Sequence, residues 1–265
     1  MAKDILRVGL GQIRVSDVET NIRKHIEFIE RAREQRLDIV CFPEAAISGY
    51  YKVHHHHPDE VDWEAVDTGI QRIQDAIRDV GVGAVIGSGV RRSDGIRNSA
   101  LLFSKAGDLI GEYVKCQLMP SDVECYVPGS GVELYDFEGI PVGLQICYDQ
   151  RFPELWRVLA VRGAKVIFHG SSACTPRGTW KIPVVEAHLR SRAVENGVYV
   201  VSVNVGGPFQ NWGSMVYDPI GLEVARANYD REELVTAEID LRKVSRQFIK
   251  EQRTDLAEVV EKKTV

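Results

Sequence analysis

The sequence predicts an α/β protein arranged as a four-layer α-β-β-α sandwich with pseudo-two-fold internal duplication. Three observations predict it: apolar strand-like runs alternate with helical ones, the same order of elements occurs twice, and each half closes with a hairpin. Near the start, LRVGLGQIRV (6–15) reads as a buried strand, DVETNIRKHIEFIERAREQ (17–35) as an amphipathic helix and LDIVCF (37–42) as a second strand. From residue 140 the order recurs as IPVGLQIC, PELWRVLAVRG and AKVIFHG. Helical stretches 63–81 and 182–197 then lead into strands 82–90 and 198–206. The first hairpin turns at Lys105 to Asp108 and the second at the Asp-Pro-Ile-Gly of 218–221. Alternating strands and helices imply right-handed βαβ crossovers and mostly parallel sheets. Two such halves, each with helices over one sheet face, bury their bare faces against each other.

Composition narrows the class of protein. With 44% hydrophobic residues in 265, the chain can fill a sizeable core, and no Gly/Ser-rich or Pro-rich linker divides it. Residues 1–265 are therefore expected to form one domain, with 253–265 a tail that packs on a partner or frays. The 38 acidic and 33 basic residues are scattered, for a net charge of -5, with no basic block to track phosphates, so nucleic acid is not an expected partner. Positions 1–20 lack the apolar region of a signal peptide, and no window approaches the roughly 18 apolar residues of a membrane span. No membrane contact and a cytoplasmic location are the expectation. Five cysteines make an odd count without CxxC spacing, which argues against a disulfide framework and a zinc site and for reduced thiols.

In such sheets ligands collect at the carboxyl ends of strands. Three polar groups fall there: Glu44 follows LDIVCF through Pro43, Lys115 ends LIGEYV, and Cys147 ends PVGLQI. An acid, an ammonium and a thiol are the parts needed for acyl transfer. A cysteine at a strand-to-helix turn exposes its sulfur where the Tyr148 N–H and the start of the next helix favour negative charge, and Lys115 is expected to raise the thiolate fraction further. Each residue alone also has a plainer reading: Cys147 as a small core side chain, Glu44 as a cap, Lys115 as a solvated strand end. The combination carries the chemical reading.

The segments FPEAAISGY (42–50), YVKCQLMP (113–120) and GLQICYDQRFPE (143–154) together resemble the nitrilase, or carbon-nitrogen hydrolase, superfamily. The likeness runs to about residue 252 and includes NWGSMVYDPIG (211–221) in the last hairpin. It implies the same four-layer sandwich, Cys147 as nucleophile, Glu44 as general base, and Lys115 with the Tyr148 N–H as oxyanion stabilisers. It further implies that Glu124, in ECYVPG, orients the substrate nitrogen or assists proton transfer, and that neither cofactor nor metal is needed. Tyr148, Tyr50, Ser172, Arg177 and Trp180 complete the implied substrate-binding set. The CYDQRFPE form resembles amidases and N-carbamoyl hydrolases, so ammonia release from a small linear amide or carbamoyl compound is expected. A nitrilase, or a silent binding protein on the same fold, is the alternative. A homodimer pairing through PELWRVLAVRG and EAHLRSRAVENG, or a larger homo-oligomer, is also implied.

Two features depart from the pattern. Gln117 stands two residues after the lysine where many relatives place a histidine, and it cannot carry a proton. The run His54 to His57 suggests metal, yet no cysteine or carboxylate sits at ligand spacing on a regular element, so an exposed loop at the pocket rim is the preferred reading. Arg151 and Glu154 read as an ion pair under the turn, with a substrate carboxylate as the other role for the arginine.

Overall fold

The structure is a computed structural model in which residues 3–174 and 181–253 are described. The first half runs β1 (Ile5–Gln12), α1 (Val18–Glu34), β2 (Ile39–Cys41), α2 (Trp63–Val80), β3 (Gly83–Arg92), β4 (Gly95–Phe103) and β5 (Leu109–Val114). Two short strands follow, β6 (Tyr126–Val127) and β7 (Tyr135–Phe137). The second half repeats the order with β8 (Ile140–Ile146), α3 (Pro153–Arg162), β9 (Val166–Ser171), α4 (Lys181–Asn196), β10 (Tyr199–Asn204), β11 (Met215–Tyr217) and β12 (Glu223–Arg226). β13 (Glu233–Asp240) and the short α5 (Gln247–Glu251) end the described chain.

Local chemistry sets the helix limits. Asp17 caps α1 by accepting the Thr20 N–H at 2.9 Å, and Ile22, His25, Phe28, Ile29 and Ala32 form one buried face at helical spacing. Asp62 caps α2 likewise, and Gly81 ends it at φ 73°, a left-handed conformation that glycine adopts without penalty. Pro153 opens α3 at a position where a missing N–H costs nothing.

One sheet has the order β13-β1-β2-β3-β4-β5, with β6 paired to β4; the other has β12-β11-β10-β9-β8-β7. In each, three parallel strands (β1-β2-β3 and β8-β9-β10) carry an antiparallel hairpin on one side and an antiparallel strand on the other. The duplication expected from the sequence is therefore present down to strand order. The sheets pack face to face: Leu6, Val8 and Leu10 of β1 and Ile39 and Cys41 of β2 share a core with Leu144, Phe168 and Val200 of the opposite sheet. Val40 and Ile86 point the other way, into a second core with Phe28, Ile29 and Ile73 of α1 and α2. That alternation builds the α-β-β-α layers.

Three strands were not anticipated. β6 and β7 span two and three residues, too few to show a period. β13 is mostly half-exposed, and its place at the edge of β1 is fixed by pairing Ile5 with Asp240 and Gln12 with Glu233, a contact between chain ends. Of the expected tail at 253–265, all but Arg253 lies outside the described residues.

Candidate active site

Glu44 sits in the turn after β2, wedged between the two sheets. A Cβ on Gly87 of β3 would lie 2.1 Å from the Pro43 carbonyl oxygen, and one on Gly170 of β9 would lie 3.1 Å from the Glu44 nitrogen. Glycine at both positions lets the backbone of Glu44 approach so closely. Its carboxylate is 1% exposed and fully engaged. Oε1 accepts from Asn98 Nδ2 at 2.8 Å and from Lys115 Nζ at 2.8 Å, and Oε2 accepts from the Ser172 N–H at 3.0 Å.

Lys115 follows β5 and is completely buried. Its Nζ donates to Glu44 and, at 2.7 Å, to Asp122 Oδ2, and lies 5.4 Å from the centre of the Tyr50 ring. Burial by itself favours the neutral amine. The charges of Glu44 and Asp122 outweigh that and hold the ammonium above its ordinary range. Asp122 is itself buried, and its remaining oxygen accepts from the Tyr50 hydroxyl while Oδ2 also takes the Met119 N–H.

Cys147 directly follows β8 with φ 42°, a left-handed value rare for a side-chain-bearing residue, in the first position of a 3-10 turn over Cys147–Arg151. Asp149 braces this turn: Oδ2 accepts from the Ile146 N–H at 3.0 Å and the Tyr113 hydroxyl at 2.8 Å, and Oδ1 from the Gln117 N–H at 2.9 Å. Burial pushes the Asp149 carboxyl up to about 6 against those donors. The backbone N–H of Gln117, rather than its side chain, thus joins the lysine loop to the elbow. His169 of β9 lies beneath, with Nδ1 2.9 Å from Ser202 Oγ and Nε2 3.1 Å from the Cys147 carbonyl oxygen. Its burial lowers the imidazole to about 4, so it is neutral.

Lys115 does pull the Cys147 thiol toward the thiolate, as expected, but other influences outweigh it. Burial is the largest influence and pushes the thiol up; Glu44, which hydrogen-bonds it, pushes the same way, and the opposing pull of Lys115 is too small to reverse them. The resting sulfur is protonated, and a base must act before it attacks.

Above the cluster lies a cavity of about 220 Å³. Cys147 and Tyr148 form its floor, Tyr50, Met119, Val185 and Trp212 supply apolar walls, Ser172 and Asn211 add polar groups, and Lys52 and Arg151 bring positive charge. A larger hollow of about 550 Å³, between Arg97, Glu112, Gly129 and Arg162, includes none of the clustered residues. Of the expected binding residues, Tyr50, Tyr148 and Ser172 line the cavity, while Arg177 and Trp180 lie outside the described residues. Arg151 sits over the Tyr148 ring, with Glu154 exposed on the first turn of α3.

The structure does not bring Glu124 to this cluster. Its side chain is 62% exposed, taking the Tyr51 hydroxyl at 3.0 Å and Lys52 Nζ at 3.0 Å. A short 3-10 turn over Asp122–Glu124 points the first acid inward and the last outward, and Asp122 occupies the place beside Lys115. In the histidine run, His55 is buried against the Tyr51 ring, whereas His54, His56 and His57 are exposed. The His54 Nδ1 accepts the Tyr50 N–H at 3.0 Å. Among the described residues, no group of three His, Cys, Asp or Glu side chains is arranged to hold a metal ion.

A buried acid, an ammonium and a thiol at strand ends of a four-layer sandwich define the parts of a thiol-dependent hydrolase. The carbon-nitrogen hydrolase profile matches residues 7–247, and the chain belongs to that family. The chain is 29% identical to the omega-amidase NIT2 of Homo sapiens over 97% of this chain and 98% of that protein. It is 31% identical to the omega-amidase NIT3 of Saccharomyces cerevisiae over 89% and 87%. Among solved structures, the carbon-nitrogen hydrolase of Helicobacter pylori G27 shares the fold with a TM-score of 0.89 at 22% identity, covering 97% of this chain and 98% of that one. An amidase from Nesterenkonia sp. matches with a TM-score of 0.83 at 24% identity, covering 96% and 95%. Membership of that family makes the protein a hydrolase of carbon-nitrogen bonds.

Proposed function

We propose that this chain releases ammonia from a small linear amide, with Cys147 as nucleophile, Glu44 as general base and acid, and Lys115 and the Tyr148 N–H as oxyanion donors. The observation that carries the reading is the buried carboxylate of Glu44, bonded to Lys115 at 2.8 Å beside the Cys147 thiol. Glu44 takes the Sγ proton as sulfur bonds to the amide carbon, and the negative charge moves to the carbonyl oxygen, beside the ammonium and the N–H. Collapse of that intermediate breaks the C–N bond, and Glu44 returns the proton to the departing nitrogen. A water deprotonated by Glu44 then attacks the thioester, leaving a carboxylate and the free thiol. Asp122 fixes the Lys115 ammonium and keeps it charged between the two acids.

Cavity chemistry supports an amide over a bulky substrate. The volume suits a short chain, and the apolar walls with Ser172 and Asn211 as polar groups suit a small amide. Omega-amidases recur among the relatives. A variant of the Nesterenkonia sp. AN1 amidase shows covalent addition of an acetamide moiety at its active-site cysteine. The inter-sheet core common to both halves supports one domain over 1–265, the five unbridged cysteines support a cytoplasmic location, and exposed Val158 and Val161 on α3 support a homodimer through α3 and α4.

The test is ammonia release from succinamate, butyramide, N-carbamoyl amino acids and short nitriles by wild type and Cys147→Ala. Turnover of an amide or carbamoyl compound, lost in Cys147→Ala with the circular dichroism unchanged, is the expected result. Hydrolysis of nitriles alone would overturn the amide reading, and activity surviving in Cys147→Ala would overturn the assignment of the nucleophile.

A further inference from the structure

We propose that His169 is a positioning residue that sets the direction of the oxyanion donor. Its imidazole holds the Cys147 carbonyl oxygen, and this turns the N–H of the same peptide, that of Tyr148, into the cavity. The inference rests on the reading of Cys147 as nucleophile and the Tyr148 N–H as oxyanion donor.

The tautomer follows from the partners. A carbonyl oxygen can only accept, so the Nε2 that lies 3.1 Å from Cys147 O carries the hydrogen; the bare Nδ1 then accepts from the Ser202 hydroxyl at 2.9 Å. Ser202 stands directly opposite His169 in the β9–β10 pairing, and the Trp156 ring, 5.7 Å away between centres, packs against the imidazole. His169 and Ser202 are both fully buried, so water does not compete for either bond.

Geometry links that bond to the reaction. In a planar trans peptide the C=O and N–H point to opposite sides. Drawing the Cys147 oxygen toward β9 therefore aims the Tyr148 N–H the other way, to the side where Cys147 and Tyr148 line the cavity. Cys147, at φ 42°, sits in a sparsely populated conformation that its surroundings must hold. The neighbouring groups of the elbow are braced separately: the Ile146 N–H by Asp149, the Asp149 carbonyl by Trp156 Nε1 at 3.0 Å, and the Gln150 carbonyl by Arg192 Nε at 3.1 Å. His169 acts on the 147–148 peptide.

The experiment compares kcat and KM on succinamate or butyramide, whichever turns over faster, with the rate at which iodoacetamide alkylates Cys147. Alkylation forms the C–S bond at a saturated carbon and expels iodide, so it needs the sulfur and its base but no oxyanion donor. His169→Phe is expected to lower kcat about a hundredfold, with KM and alkylation rate within about threefold of wild type. His169→Gln, which keeps a side-chain N–H, recovers at least about tenfold of that loss. Ser202→Ala leaves the ring but frees its tautomer, and is expected to lower kcat about fivefold with alkylation unchanged; it carries the test if His169→Phe does not fold. Unchanged kcat in His169→Phe, or in Ser202→Ala, would overturn the proposal, as would alkylation falling in parallel with kcat. Activity surviving in Cys147→Ala would instead remove the reading beneath it.

Discussion

Lys115, after β5, and Arg226, at the end of β12, occupy corresponding places at the outer strand of each half's hairpin. Lys115 is sealed from water between Glu44 and Asp122, while Arg226, about a quarter exposed, bridges Glu186 and Glu223 near the surface. The ends of β1 and β8 differ in the same way. Gln12 uses its amide to tie Ser214 and Gln210 into the structure, whereas Cys147 presents a sulfur to a cavity. Duplication repeats the strands, but only strand ends that converge between the sheets gather reactive groups. What separates the two cations here is burial among acids, since removing one partner of a buried ion pair leaves charge without solvent.

The sharpest way to break this comparison is to remove both cations in turn. Lys115→Met leaves Glu44 and Asp122 buried without compensation and should cost about 3–5 kcal/mol in urea unfolding, with kcat down at least about a hundredfold. Arg226→Met should cost no more than about 1 kcal/mol and keep turnover. Equal losses would mean that burial does not distinguish the two ends.

The two acids of the 122–124 turn allow a second contrast. Asp122→Asn, which leaves Lys115 with one carboxylate, should lower kcat by about 10² or more, measured as ammonia release. Glu124→Gln, on the outward side, should change it less than about threefold. A large effect of Glu124→Gln would restore the role that the sequence suggested for it.

Glycines sharpen the contrast further. Gly87→Ala places a methyl group against the rigid Pro43 carbonyl and should destabilise by about 2–3 kcal/mol while displacing Glu44 and lowering kcat. In Gly143→Ala the nearest atom is the end of the Leu159 side chain at 2.7 Å, which can turn aside, so a loss of about 1 kcal/mol with kcat retained is expected.

Acid stability should separate the halves by sign. His25, buried in α1, is lowered from 6.5 to about 4, so the unfolded chain binds its proton first and its contribution is lost as pH falls from 6.5 toward 4. Asp149 is raised from 3.8 to about 6, so the folded chain binds the proton first and stability is lost as pH rises through that window. Relative to wild type, His25→Leu should flatten the acid-side decline of the urea midpoint and Asp149→Asn should steepen it, each by about 3 kcal/mol at most across its window. Shifts of the same sign in both variants would refute this assignment.

How far the sequence revealed these features depends on whether they are local. Glu44, Lys115 and Cys147 were readable because each stands where an apolar run gives way to a reactive side chain, and strand ends are where sheets collect ligands. Asp122 was hidden because two acids two residues apart look alike until a 3-10 turn sends them in opposite directions. His169 lay inside an apolar strand, and its role depends on β8 and β10 lying beside β9 in a given register, which no neighbouring residue encodes. The direction of the Cys147 shift was hidden for a related reason: Lys115 was visible as a charge, but the burial that outweighs it comes from both sheets closing.

The edge strand β13 has a consequence for the order in which the protein is made. Every group of the buried cluster, from Glu44 to the Ser172 N–H, has left the ribosome well before residues 233–240 emerge. Until then β1 has no partner along one side, and its Leu6, Val8 and Leu10 stand at an open sheet edge, the kind of surface on which nascent chains aggregate. Synthesis therefore delivers the chemistry early and its shelter late, so a message cut short before codon 233 yields a chain with every reactive group and an unprotected first sheet.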